Sequence, residues 1–251
     1  MAVWAIADLH LAFGITGKEM DIFGEQWKDH PAKIEQNWRK KITNDDLVLL
    51  PGDISWALRL EDALPDLEWI HSLPGTKVML RGNHDFWWSS LKKIAEVLPP
   101  SIHIIQNNIF SWNHVCIGGS RLWDSYEFNF GKYIPYIPPD LLTFTKEEFD
   151  DSPQQKKIFD RELVRLEISL KALQPSAKVK IAMTHYPPIG VELAPTRASE
   201  LFQHYGVNIC AFGHLHNVVH TYDPLFGELN GVRYVLVAAD YINFDPVFLC
   251  E

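Results

Sequence analysis

Short apolar runs that end abruptly in Asp, Asn or His recur along this chain. Val3 to Ala7 runs into Asp8 and His10, and Leu47 to Leu50 into Asp53. Lys77 to Leu80 runs into Arg81-Gly82-Asn83-His84-Asp85. Val179 to Met183 leads to His185, and Ile209 to Phe212 to His214 and His216. Bounded apolar runs of this length predict buried strands. A helix is predicted after each of the first three. One starts at His30-Pro31 with Ile34, Trp38 and Ile42 at helical spacing, and one spans Glu61 to Ser72 with Pro65 in its first turn. A third carries Leu91, Ile94, Ala95 and Leu98 on one face and stops at Pro99-Pro100. Residues 11–29, with Gly14, Gly17 and Gly24, read as a long loop on the rim that holds Asp8. Alternation of strand and helix predicts a largely parallel sheet with right-handed crossovers.

The pattern then changes. Ile102 to Gln106, Phe110 to Trp112 and Val115 to Gly118 are close-spaced strands, which predicts antiparallel hairpins in a second sheet or at a sheet edge. Residues 121–144 carry Trp123, Tyr126, Phe128, Phe130, Tyr133, Tyr136 and Phe144 among several Gly and Pro, with no regular period. That segment reads as an insertion anchored by its own aromatics or as a lid over a site. Ser152-Pro153-Gln154-Gln155 predicts a helix start with a capping box. The stripe Phe159, Leu163, Leu166, Leu170, Leu173 that follows is expected to pack on a sheet. A short helix over Ala198 to Tyr205 ends at Gly206. Val218 to Tyr222 and Val232 to Ala239 complete the predicted strands, with Asn230-Gly231 as a hairpin turn. No linker or internal repeat interrupts residues 1–251, so one domain is expected.

The formal charge of −9, from 32 acidic and 23 basic residues, argues against duplex nucleic acid as the main partner. A small phosphorylated substrate remains compatible, since metal charge can locally outweigh the global sign. Cys116, Cys210 and Cys250 form no paired metal spacing, which suits a reducing compartment. With no leader or membrane-length apolar stretch, a soluble cytoplasmic protein is expected.

Open sheets bind ligands at the carboxyl ends of their strands, so the five polar run ends are expected to converge. Asp8 and His10 are two apart, as are His214 and His216, which places each pair on one side of an extended backbone. Gly52 lets the chain turn sharply at Asp53, and Gly82 does the same before Asn83. Two Asp, one Asn and four His form an oxygen and nitrogen set without thiolate, suited to Mn, Fe or Zn. These seven side chains exceed one tetrahedral site and fit two ions that share a carboxylate. Such a pair can acidify a water and clamp phosphoryl oxygens for in-line attack. His84, next to Asn83, is then free to protonate the leaving oxygen. Asp85 is read as a helix cap or as support for His84. The remaining histidines, His30 among them, read as surface or core residues.

Asp8-Leu9-His10, Gly52-Asp53, Gly82-Asn83-His84-Asp85, Thr184-His185 and Gly213-His214-Leu215-His216 together resemble the five ordered motif blocks of the calcineurin-like metallophosphoesterases. The resemblance is to the small bacterial phosphohydrolase type. It implies a four-layer α/β/β/α sandwich of two mixed sheets flanked by helices, with a dinuclear site at the strand carboxyl ends. By carry-over, Asp8, His10, Asp53 and His216 would hold one ion; Asp53, Asn83, His185 and His214 would hold the other. The implied activity is metal-dependent phosphoester hydrolysis, as a mono- or diesterase, with Mn the leading metal and Fe or Zn the others. A nuclease and a non-catalytic scaffold on the same fold are the alternatives; the acidic charge weighs against the first and the complete ligand set against the second. One departure stands out. In Asp53-Ile54-Ser55-Trp56-Ala57 there is neither the acidic or His residue that often supports the catalytic His nor the neighbouring phosphate-gripping Arg, so Arg121 or Arg59 would have to supply the clamp. Trp56, Trp87, Trp88, Trp123 and Tyr126 would either stack a nucleobase or pack in the core.

Overall fold

Strand residues alternate between two apolar environments, and that alternation sets the layers. The computed structural model describes residues 1–125, 127–134, 152–219 and 225–251. Its first sheet contains β1 (Val3–Ala5), β2 (Leu47–Leu50), β3 (Thr76–Met79), β4 (Ile102–Ile104) and β11 (Val247–Cys250), in the order β11-β1-β2-β3-β4. The second contains β5 (Phe110–Trp112), β6 (Val115–Ser120), β7 (Val179–Thr184), β8 (Ile209–Phe212), β9 (Glu228–Leu229) and β10 (Val232–Leu236), in the order β5-β6-β7-β8-β10-β9. Each sheet is mixed. β1 to β4 are parallel with β11 antiparallel at the edge, and β6, β7, β8 and β10 are parallel between two antiparallel edge strands.

Leu47 and Leu49 of β2 face the second sheet, in one core with Val78, Ile117, Ile181, Met183 and Ala211. Val48 and Leu50 point the other way, onto Ile34 and Trp38 of α1 (His30–Lys41) and Leu67 and Ile70 of α2 (Leu60–Ser72). Ala182, Cys210 and Phe212 on the second sheet's outer face meet Leu163, Leu166 and Leu170 of α4 (Pro153–Lys171) and Phe202 of α5 (Arg197–Tyr205). The short α3 (Leu91–Ala95) adds Ile94 to the first helical layer. The result is the four-layer α/β/β/α sandwich. Each buried Leu or Ile contributes about 1.5–3 kcal/mol, so the two outer cores and the inner one all matter to stability.

Several local expectations need correction. β4 and β5 form no hairpin: β4 lies parallel to β3 at the edge of the first sheet, and the chain then crosses to begin the second. The close spacing of the runs reflected that crossing. Pro65 lies in the second turn of α2, beyond the first turn where its missing N–H would be free of cost. Burial of Ala63, Leu67 and Ile70 on the sheet holds the helix through that defect. Ser152 caps α4 by accepting from the Gln155 N–H, but the Gln155 side chain accepts from the Trp123 indole, so the capping box is not closed. Val218 and Val219 are not in a strand, and the rest of the run predicted to Tyr222 lies outside the described residues. In the aromatic insertion Trp123, Phe128, Phe130 and Tyr133 join the core beside α4, whereas Tyr126, Tyr136 and Phe144 lie outside the described residues. The loop of residues 11–29 contains two short 3₁₀ turns, Met20–Phe23 and Glu25–Trp27. Among the described residues no helix is long and apolar enough to cross a membrane.

Candidate metal centre

The carboxyl ends of β1, β2 and β3 meet those of β7, β8 and β10 along one rim. Backbone bonds stitch the two sheets together there: Ala7 N–H donates to Val237 O at 2.8 Å, and Ala239 N–H to Ala7 O at 3.1 Å. Asp8 N–H donates to Gly52 O and His10 N–H to Asp53 O, each at 3.0 Å, so the first two polar loops run side by side.

All seven predicted ligand side chains come together at this rim. His10 Nε2 and His216 Nε2 lie 3.2 Å apart, with Asp8 Oδ1 3.7 Å from His216 Nε2. Asn83 Oδ1 sits 2.5 Å from His185 Nε2 and 3.1 Å from His214 Nδ1. Asp53 Oδ2 lies between the two groups, 3.7 Å from His10 Nε2 and 3.5 Å from His185 Nε2. Asp8, His10 and His216 form one cluster with metal-ligand spacing, and Asp8, Asp53 and His185 a second that overlaps it.

Asp8 and His10 reach the same point, but not through an extended backbone. Asp8 (φ 58°), His10 (φ 46°), Asp53 (φ 52°) and His214 (φ 72°) all adopt left-handed conformations. Such strain in side chains other than glycine concentrates at functional sites. Gly52 does turn sharply, at φ 95°, and a Cβ there would stand 2.6 Å from His185 Nδ1. Gly82 acts by close approach, since a Cβ would stand 2.0 Å from Asp53 Oδ1.

Hydrogen bonds on the far side of the rings decide which nitrogen faces inward. His185 Nδ1 is 3.0 Å from the Pro51 carbonyl, which can only accept, so Nδ1 carries the proton and the Nε2 lone pair points to Asn83. His216 Nδ1 is 2.8 Å from Asp240 Oδ1, which turns its Nε2 toward His10; an ion bound there would displace the proton on Nε2. Asp240 was not among the expected site residues. It follows β10 without a flanking glycine, and only tertiary structure brings it to His216. Burial opposes charge on His216, but the charge and hydrogen bond of Asp240, with Asp8 and Asp53, outweigh it and lift the imidazole to about 9. Burial pulls His10, His185 and His214 well below the usual imidazole range, toward the neutral form that ligates metals. Burial also raises the Asp8 and Asp53 carboxyls. Asp53 Oδ2 and His10 Nδ1 are buried without a hydrogen-bond partner among the described residues. A buried carboxylate oxygen with no donor, ringed by imidazole nitrogens, is the electrostatic deficit that a divalent cation fills, so the residues present fit the implied metal pair.

Because Asp240 fixes the tautomer of His216, Asp240→Asn is expected to weaken metal binding by about 10–100-fold, read by Mn titration. An affinity equal to wild type would remove Asp240 from the centre.

His84 lies beside the cluster. Its backbone N–H donates to Asp53 Oδ1 at 2.9 Å, and its ring packs at 4.5 Å from Trp56, which also stacks on His10 at 4.9 Å. The position three after Asp53 thus steers His84 by an aromatic face rather than by a carboxylate. Asp85 supports neither His84 nor a helix. Ser90 caps α3, and Asp85 instead accepts from the N–H groups of Asp53, Ile54, Ser55 and Gly82 and from the Trp87 indole. Trp87 and Trp88 are core residues, the latter donating to Gln106. His30 is a core histidine bonded to the Trp27 and Leu9 carbonyls. Arg121 is placed at the rim, where its carbonyl accepts from the His185 and Tyr186 N–H groups; Arg59 is exposed at the start of α2.

Two facing mixed sheets that gather Asp, Asn and His at their carboxyl ends define a metal-dependent hydrolase of the calcineurin-like architecture. The calcineurin-like phosphoesterase family model matches residues 1–218, and the chain belongs to that family. Its fold is similar to that of a phosphopantetheinyl hydrolase from Mycobacterium tuberculosis, at 16% identity and a TM-score of 0.58, over 94% of this chain and 89% of that one. Gene 66 proteins of Mycobacterium phages D29 and L5 are 31% and 30% identical over 83 and 82 residues, 33% of this chain in each case. The matched stretch spans 40% and 39% of those phage proteins.

Proposed function

We propose that the chain hydrolyses phosphoester bonds of a small phosphorylated substrate with two metal ions, Mn foremost and Fe or Zn as alternatives. Asp8, His10, Asp53 and His216 would hold one ion, and Asp53, Asn83, His185 and His214 the other. The observation that carries this reading is Asp53 Oδ2, buried without a hydrogen bond among the described residues and within 3.7 Å of nitrogens from both ligand groups. Two such ions, when bound, lower the pKa of a water and offset the charge on the phosphoryl oxygens.

The protein's own side chains do the rest. His84, held by its N–H bond to Asp53 and by Trp56, delivers a proton to the leaving oxygen. Arg121 is the better placed of the two clamp residues, because its guanidinium lies close enough to the centre to act on the Asp53 carboxyl, whereas Arg59 is exposed at the start of α2. The acidic chain favours a small substrate over duplex nucleic acid, and the buried free thiols of Cys116 and Cys210 suit the cytoplasm.

Mn-loaded protein is expected to hydrolyse bis-(p-nitrophenyl) phosphate and to lose that activity in EDTA. His84→Ala is expected to keep both metals while kcat falls about 10²–10⁴-fold. Loss of a metal in that variant, measured by elemental analysis, would make His84 a ligand instead of an acid.

A further inference from the structure

The same rim carries a second concavity that the metal ligands do not use. It is a cavity of about 150 Å³ at the carboxyl ends of β3, β4 and β6, closed on one side by α4. Arg81, Arg121 and Arg165 line it, against a single carboxylate, Glu162. Three guanidiniums to one carboxylate is an inverted balance in a chain of net charge −9.

Glu162, 2% exposed, is already shared. Its Oε1 lies 2.6 Å from Arg165 Nη1, 3.4 Å from Arg161 Nη2 and 3.9 Å from Arg121 Nη2. Arg81 has no carboxylate or hydrogen-bond partner among the described residues, and its Nε is buried. Ser89 Oγ, on the same lining, is likewise buried and unpartnered. Arg81 and Arg121 repel one another. Buried donors without acceptors are rare in folded proteins and point to a missing ligand or water. Positive charge and unused donors together select an anion, and guanidinium forks match the oxygens of phosphate. The volume is below the ~300–1,000 Å³ of sites that enclose whole drug-sized ligands, which favours one compact group over a base or sugar.

The cavity adjoins the metal centre. Arg81 stands two residues before Asn83, and the Arg121 carbonyl accepts from the His185 N–H at 3.1 Å. We propose that this cavity binds a second phosphate of the substrate, so that the preferred substrates carry a phosphate group besides the phosphoester that is cleaved. The assignment rests on the hydrolase reading for its link to the reaction, though not for the anion site itself.

The test uses the Mn-loaded full chain and compares kcat/KM for adenosine 3′,5′-bisphosphate and for 5′-AMP. Wild type is expected to prefer the bisphosphate by about tenfold or more, and Arg81→Gln and Arg165→Gln to lose most of that preference. Arg165 has a side chain 42% exposed on α4, so its variant is expected to fold even if Arg81→Gln does not. Equilibrium dialysis with radiolabelled inorganic phosphate should give two phosphates per wild-type chain and one per chain of either variant. An unchanged preference in both variants overturns the substrate assignment, and an unchanged phosphate count overturns the anion site. If neither nucleotide nor bis-(p-nitrophenyl) phosphate is cleaved while the count falls from two to one, the anion site stands and the hydrolase reading fails.

Discussion

Asp53→Ala is expected to abolish metal-dependent hydrolysis, with kcat/KM falling at least ~10³–10⁴-fold. The size follows from what one side chain does. Oδ2 is the atom placed within reach of His10 Nε2 at 3.7 Å and His185 Nε2 at 3.5 Å, and Oδ1 accepts the His84 N–H at 2.9 Å. Truncation therefore removes the link between both candidate ligand groups and frees the loop that carries His84, the proposed proton donor. Metal-ion catalysis supplies several kcal/mol of transition-state stabilisation, and each 1.36 kcal/mol is a factor of ten. Elemental analysis should find fewer than two metals per chain. Asp53→Asn separates the contributions, because it keeps an acceptor for the His84 N–H while removing the charge: it should fold like wild type and still lose metal. Folding is a poor explanation for the loss, since the metal-free site is electrostatically unfavourable. Asp53 accepts one N–H, from His84, where Asp85 accepts five donors, so deleting Asp53 is expected to cost the metal-free protein little stability. An Asp53→Ala protein with two bound metals and more than about a tenth of the wild-type rate would sink the bridging role.

What the chain discloses in advance follows the range of the interactions involved. β2 and β8 are apolar at every position because both of their faces are covered, and such runs announce strands without ambiguity. The polar positions that the fold gathers at the rim were legible because each follows an apolar run closely. The left-handed conformations of Asp8, His10 and His214 were not, since neither Asp nor His at those positions demands φ above zero. The strain is imposed by the loop-to-loop bonds from Asp8 to Gly52 and from His10 to Asp53. β11 was not among the predicted strands: Val247 to Cys250 is apolar, but it is short, leads to no polar run end, and pairs antiparallel with β1 across almost the whole sequence. Asp240 and Asp85 were hidden for a related reason. Their partners are side chains or amides from distant loops, and an Asp after a strand or before a helix looks like any turn residue.

Asp85→Ala is expected to be the most destabilising single change at the rim, by about 3–5 kcal/mol, with catalysis lost alongside. Oδ2 accepts from Gly82 N–H at 2.7 Å and Asp53 N–H at 3.0 Å, and Oδ1 from Ile54 N–H at 2.9 Å, Ser55 N–H at 3.2 Å and Trp87 Nε1–H at 2.9 Å. Asp85 is fully buried, so alanine would strand these donors where water does not replace the carboxylate. Asparagine is no rescue. Either orientation of its amide points an NH₂ at two or three N–H donors, so Asp85→Asn should fall close to Asp85→Ala. For a chain of this length each kcal/mol corresponds to roughly 2–4 °C, and thermal unfolding should register a drop of about 6–20 °C. The rate is affected because the bonded amides belong to the loop that aims Asp53 and the one that aims Asn83; a displacement of about 1 Å can cost ~10²-fold. This separates the two acidic residues. Asp53→Ala should remove metal and activity with only a small loss of metal-free stability, whereas Asp85→Ala should lower stability markedly even in metal-free protein. A metal-free melting temperature unchanged by Asp85→Ala would mean that the two loops hold their shape without the carboxylate between them. The approach of Gly82 to Asp53 would then be what fixes the turn.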